Sequence, residues 1–237
     1  MNKFKTMKKV SVYGIILLMV GSAFSLQAQD SVYMSNEFTK AVAVYERAQR
    51  YNDEQVSKQA LIEMSVLNPR DTAILRNLAE IYYQEGRYVS TALVSQDMLS
   101  LVPNDLVALE LAALSYENLR LYDKAIENYE PMWLKTEDSA ILYQISYLQF
   151  ITERFDEATA NLNILEDKVG VEEEITLSKN NGDLQKVKFK AALANMKGLI
   201  AQNKDNMEEA LKYFEQAVAL SPDFEAAVTN LTEAKKK

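Results

Sequence analysis

The sequence predicts an all-α chain of repeated helical hairpins with a small β-hairpin inserted before the last repeat. Three observations carry this. Small residues recur at equivalent positions: Ala79, Ala113, Ser146 and Gly198 on the first helix of a hairpin (helix A), and Thr91, Ala125, Ala158 and Ala210 on the second (helix B). Closely crossing helices need small side chains where their axes approach, and random apolar packing has no reason to select them. Large residues recur at the turn between the two helices: Tyr88, Tyr122, Phe155 and Met207. Proline supplies punctuation, since Pro103 follows Pro69 by 34 residues and Pro222 closes the last hairpin. Periods of this size are the mark of a stacked repeat.

Composition narrows the function. The chain has 237 residues, 48% hydrophobic and 25% charged, as expected of a folded chain of one or two domains. It has no His and no Cys, which excludes disulfides, thiolate chemistry, imidazole catalysis and the commonest zinc sites. Residues 1–28 read as a secretory signal: Lys3, Lys5, Lys8 and Lys9, an apolar run from Val10 to Phe24, and Ala28 before a cut at Gln29. The alternative is a retained anchor, although the apolar run is shorter than the roughly 20 residues that span a bilayer. A cleavable signal places the chain in the periplasm or outside the cell. Its removal leaves 22 basic and 34 acidic residues, a net charge of −12. That disfavours nucleic acid and anionic membranes, is compatible with a basic protein partner, and also serves solubility.

The elements follow in order. Residues 29–37 read as an irregular lead. Repeats one to four occupy 38–165. In repeat one, Val44, Ala48 and Tyr51 fit one helical face, and Val56, Ala60, Leu61, Met64 and Leu67 a second. Repeat two has Leu75, Leu78, Ala79 and Tyr82 on helix A, with Gly86 in the turn. In repeat three, Leu109, Ala112, Ala113 and Tyr116 precede Tyr122-Asp123-Lys124-Ala125, and Tyr129 follows. Pro131 falls inside that helix B, where it removes a hydrogen bond and favours a bend. Repeat four has Leu142, Ile145 and Ser146, then Phe155-Asp156-Glu157-Ala158.

Residues 166–190 are an insertion. Ile175, Leu177, Val187 and Phe189 alternate around Asn180-Asn181-Gly182-Asp183, the pattern of a β-hairpin. A two-residue turn would set Ile175 opposite Lys188. An odd loop sets it opposite Phe189, with Leu177 opposite Val187, and pairs like with like. An acidic loop without strands is the competing reading. Repeat five occupies 191–224, and 225–237 forms a capping helix.

Repeat five carries the most specific pattern. Gly198, Ala210, Phe214, Ala217 and Pro222 stand at the spacings of a 34-residue helix–turn–helix unit. Ala210, Phe214 and Ala217 share one helix face. The chain resembles the tetratricopeptide repeat (TPR) family over about 38–237, the insertion excepted. The family's Trp on helix A is absent, and Lys197 stands beside Gly198 in place of a core Leu. The resemblance implies a right-handed solenoid and a non-enzymatic scaffold that binds a peptide or protein surface in a concave groove. It is similar to envelope TPR proteins, some of which serve secretion or outer-membrane assembly. Carried over in register, the groove positions are Arg76, Glu80 and Tyr83, then Glu110, Leu114 and Glu117, then Tyr143, Tyr147 and Phe150. The last three form an aromatic stripe that either packs internally or receives a partner. Two rival functions are a homo-oligomeric structural protein and a carboxylate-based hydrolase. The sequence has no phosphate-binding glycine loop, and Asn180–Asp183 lacks the ligand spacing of a calcium loop. No cofactor or metal is expected.

Overall fold

The computed structural model describes residues 33–179 and 181–236. The expected signal, 1–28, lies outside the described residues. Eleven helices and one two-stranded sheet occur among those described. The chain divides into two compact units, Met1–Leu78 and Ala79–Lys237.

The first unit contains α1 (described from 33 to 50) and α2 (Glu54–Leu67), and α3 (Thr72–Gln84) begins in it. Residues 33–37 are already helical, so the irregular lead expected through 37 does not extend there. Ala41 and Ala48 are the buried residues of α1, while Val44, Tyr51 and Val56 are exposed. Of the expected face of α1, Ala48 is buried, and the larger Val44 and Tyr51 are exposed. Small Ala41 and Ala48 allow close contact, and the larger side chains line an open hollow of about 370 Å³ with Lys40 and Arg47. Asp53 caps α2 by accepting from the Val56 amide at 3.1 Å.

The second unit is an array of helical hairpins. Its helices are α4 (Tyr88–Leu101), α5 (Leu106–Asn118), α6 (Tyr122–Thr136), α7 (Ser139–Ile151), α8 (Phe155–Lys168), α9 (Phe189–Asn203), α10 (Met207–Leu220) and α11 (Glu225–Ala234). Each of these from α4 onward contacts the next. The eight small crossing residues are all buried. A Cβ built on Gly198 would lie 2.5 Å from Cε1 of Phe214, so these two helices meet where the spacing of the sequence requires. Asp105 and Asp138 cap α5 and α7 by accepting backbone N–H bonds from their first turns. Pro131 lies inside α6 and leaves the Glu127 carbonyl without its helical donor.

The turn from helix A to helix B repeats five times with one backbone geometry. Asn52, Gly86, Arg120, Glu153 and Asp205 all have positive φ, between 55° and 70°. In each, the amide of the following residue reaches back five residues: Asp53 to Ala48, Arg87 to Tyr82, Leu121 to Tyr116, Arg154 to Gln149, and Asn206 to Ala201, at 2.8–2.9 Å. These are Schellman closures, which satisfy the orphan carbonyls of helix A. The large residue at the turn then begins helix B.

The insertion forms strands β1 (Glu174–Ser178) and β2 (Leu184–Lys188), paired antiparallel. α8 continues to Lys168 and α9 starts at Phe189, so the non-helical part is shorter than 166–190. The loop is odd, as cross-strand matching favours, but the register differs by two residues. Ile175 faces Val187 and Leu177 faces Gln185. Phe189 is unavailable as a strand residue because it opens α9, where it is buried with its ring edge-on to Tyr143 at 5.7 Å. One face of the hairpin belongs to the core: Val187 is 1% exposed, and Ile175 and Leu177 pack against the same cluster. Gln185 bridges to the turn before α11, donating to the Asp223 carbonyl and accepting from the Glu225 amide.

Lys197 is buried on α9 and forms an ion pair with Glu166 of α8. Its aliphatic stem fills the apolar position while the ammonium reaches a half-exposed carboxylate. Close packing at Gly198 is thereby compatible with a lysine beside it.

Candidate partner-binding face

The residues placed on the groove register separate into several environments. Arg76 belongs to the first unit and is partly buried on α3. In the second unit Glu80 and Glu110 are exposed, and Tyr83, Leu114 and Glu117 are partly buried.

Glu117 is the centre of this face. It lies in the last turn of α5, and its two carboxylate oxygens are held by different helices. The Tyr129 hydroxyl of α6 donates to Oε1 at 2.6 Å, and the Gln144 amide of α7 donates to Oε2 at 2.8 Å. Burial pushes the Glu117 carboxyl above its ordinary value, and the two hydrogen bonds oppose that rise. Burial is also the main cause that raises the Tyr83 hydroxyl, with Tyr88, Glu117 and Glu110 adding to it. Tyr147 is raised by burial, then by Tyr122 and Glu117. Tyr129 is raised by burial and by its bond to Glu117. Two carboxylates and several phenols therefore share one electronegative region.

Two members of this arrangement were not on the sequence-based register. That register counts helix A alone, and Tyr129 stands at an aromatic slot of helix B that reads as core. Its ring is buried, yet its hydroxyl reaches Glu117. Gln144 follows Tyr143 and gave no signal by itself.

The aromatic stripe does not remain an open strip. Tyr143 is 8% exposed and packs edge-on against Phe189. Phe150 packs against Phe155 at the turn into α8, with ring centroids 5.9 Å apart. Tyr147 alone stays accessible, at 43%. The internal-packing reading holds for Tyr143 and Phe150, whose rings pack against the start of α9 and the turn into α8.

Among the described residues no group of three acidic side chains is placed to hold a metal ion. None of their helices is long and apolar enough to cross a membrane.

Residues 191–224 match the model of the tetratricopeptide repeat family. This is the segment that contains the Gly198–Phe214 contact. The chain carries a tetratricopeptide repeat in that segment. Solved TPR structures share its fold at low identity. One is YrrB, described as a TPR protein with an unusual peptide-binding site: TM-score 0.60, 15% identity, covering 84% of this chain and 98% of YrrB. Another is MamA: TM-score 0.58, 13% identity, covering 81% of this chain and 97% of MamA. The MamA of Desulfovibrio magneticus RS-1, from residue 41 on, gives a TM-score of 0.56 at 15% identity, covering 81% and 99%. No curated protein matches the sequence.

The charge on Glu117 has a consequence for stability in this protein. A carboxyl whose folded pKa is raised binds its proton more tightly in the folded state than in the unfolded one. The ionised form is then a cost at neutral pH, and the cost disappears as pH falls below the ordinary carboxyl value of 4.5. Glu117→Gln retains the size of the side chain and removes the buried charge. Its expected effect is a higher melting temperature at pH 7, with the gain closing as pH falls through the acid range. Thermal melts of both proteins across pH check this; a gain that grows on acidification would contradict it.

Proposed function

We propose that this TPR protein is a non-enzymatic scaffold whose face around Glu117 binds a basic peptide or protein segment. The observation that carries the reading is the arrangement of Glu117 itself. A carboxylate held half-buried by Tyr129 and Gln144, with Glu110, Tyr83 and Tyr147 around it, is suited to accept a lysine or arginine of a partner. An incoming cation would compensate the desolvated charge and gain from the phenol rings. The peptide-binding site named for YrrB supports a peptide-sized ligand. The charged, apolar and small-residue order of 1–28 supports export to the periplasm or beyond, where the partner would be met.

The test is affinity capture from the native envelope with the parent protein and with the double variant Glu110→Gln, Glu117→Gln. Capture is read by mass spectrometry, and circular dichroism confirms that both proteins are folded. Loss of captured proteins that are rich in exposed Lys and Arg, with helicity unchanged, is the expected result. The same partners captured equally by a folded double variant would refute the reading.

A further inference from the structure

The hairpin has two edges, and the other described residues cover only one of them. The ladder determines which backbone groups face outward. Phe189 donates to the Glu173 carbonyl at 2.7 Å and Lys179 donates to the Asp183 carbonyl at 2.7 Å. In an antiparallel pair, hydrogen-bonded and non-hydrogen-bonded positions alternate. Glu173, Ile175, Leu177 and Lys179 therefore point their backbone groups at the partner strand, and Glu174, Thr176 and Ser178 point theirs away. The same alternation turns Lys188, Lys186 and Leu184 outward on β2. There the Lys188 amide donates to the Ser221 hydroxyl at 3.0 Å, and Gln185 ties the strand to residues 223 and 225. On β1, no described residue bonds the outward amides of Glu174, Thr176 and Ser178. An open edge of this kind is a template for another strand, and β1 carries neither Pro nor an outward Lys to block it.

We propose that the outer edge of β1 pairs antiparallel with the same edge of a second copy of this chain, centred on Thr176. The β1 sequence is self-complementary in that register. Glu173 falls opposite Lys179 of the second copy, Glu174 opposite Ser178, Ile175 opposite Leu177, and Thr176 opposite Thr176. All three acids of Glu172-Glu173-Glu174 then avoid one another, and each copy supplies one Glu173–Lys179 pair. Pairing of β1 with β2 of another copy is hindered by the Ser221–Glu225 turn seated beside β2. The arrangement therefore closes as a two-fold dimer instead of growing into a filament. The contact is independent of the Glu117 face, so either can fail without the other. Two short strands bury little area, and the dimer is accordingly weak and concentration-dependent.

The chain contains no cysteine, which makes the register directly testable. Directly opposed residues of a hydrogen-bonded pair have Cα atoms about 5.5 Å apart, within the range of a disulfide. Thr176→Cys should form an intermolecular disulfide under mild oxidation much faster than Lys186→Cys, which sits on the covered edge. Sedimentation of the parent protein from micromolar to near-millimolar concentration should show a monomer–dimer equilibrium. Thr176→Pro removes only outward donors and should weaken the dimer by about tenfold or more. If that variant fails to fold, Lys179→Glu sets like charges against Glu173 without altering the backbone, and should also weaken the dimer. A protein that is monomeric throughout, or a Thr176→Cys variant that cross-links no faster than Lys186→Cys, would overturn the proposal. So would a dimer indifferent to both the proline and the charge reversal.

Discussion

Phe214→Ala is expected to lower the stability of the second unit by about 3–5 kcal/mol, the range for removing a large aromatic side chain from a core. Phe214 is fully buried on α10 and its ring lies directly over Gly198 of α9. The complementary substitution, Gly198→Ala, acts through the same contact. The added Cβ would meet the Phe214 ring at 2.5 and 2.6 Å, and a ring with no exposed surface has little room to withdraw. Overpacking of this kind costs about 1–3 kcal/mol. The two effects should not add. In the Phe214→Ala background the space above Gly198 is vacant, and Gly198→Ala should become nearly neutral or stabilising. Urea unfolding of the parent, both single variants and the double variant measures the coupling. Simple additivity would mean that the two residues do not share the contact.

The second large effect concerns the hairpin. Replacing residues 172–188 with a short Gly/Ser linker is expected to destabilise the second unit by at least about 3 kcal/mol. Val187 is fully buried, and a side chain of its size contributes about 1.5–3 kcal/mol when withdrawn from water. Ile175 and Leu177 add partly buried area to the same cluster. The replacement also removes the Gln185 bonds to Asp223 and Glu225, which hold the turn before α11. Helical circular dichroism should decrease as α11 loosens, and the thermal midpoint should fall. Unchanged helicity and an unchanged midpoint would show that the hairpin is an appendage. Val187→Ala provides a milder control, with a loss of about 1–3 kcal/mol and the strands retained.

The repeat architecture was legible because it rests on local rules. Small side chains at the helix crossings and alternation in the insertion each answer a constraint that acts within a few residues. The site was legible only in part. Glu110, Glu117 and Tyr147 follow from the repeat register, but the bond from Tyr129 to Glu117 joins two helices across a turn, and that from Gln144 joins two repeats. Neither is visible in a count along one helix.

By itself, then, the sequence determined the hairpin repeats, their crossing residues, the position of the inserted strands and the odd parity of their loop. The tertiary structure decided the rest. It placed Phe189 at the start of α9 instead of in β2, with its ring buried against Tyr143. It buried Ala41 and Ala48 of α1 and left Val44 and Tyr51, expected on the same face as Ala48, exposed. It also imposed the left-handed backbone at Arg120, Glu153 and Asp205. No residue preference announces Arg120 or Glu153, since the left-handed conformation disfavours such side chains, whereas Asp205 is of a type that tolerates it. They are held there because a Schellman closure satisfies the end of helix A and returns helix B onto it, and the packing of the two helices outweighs the local cost.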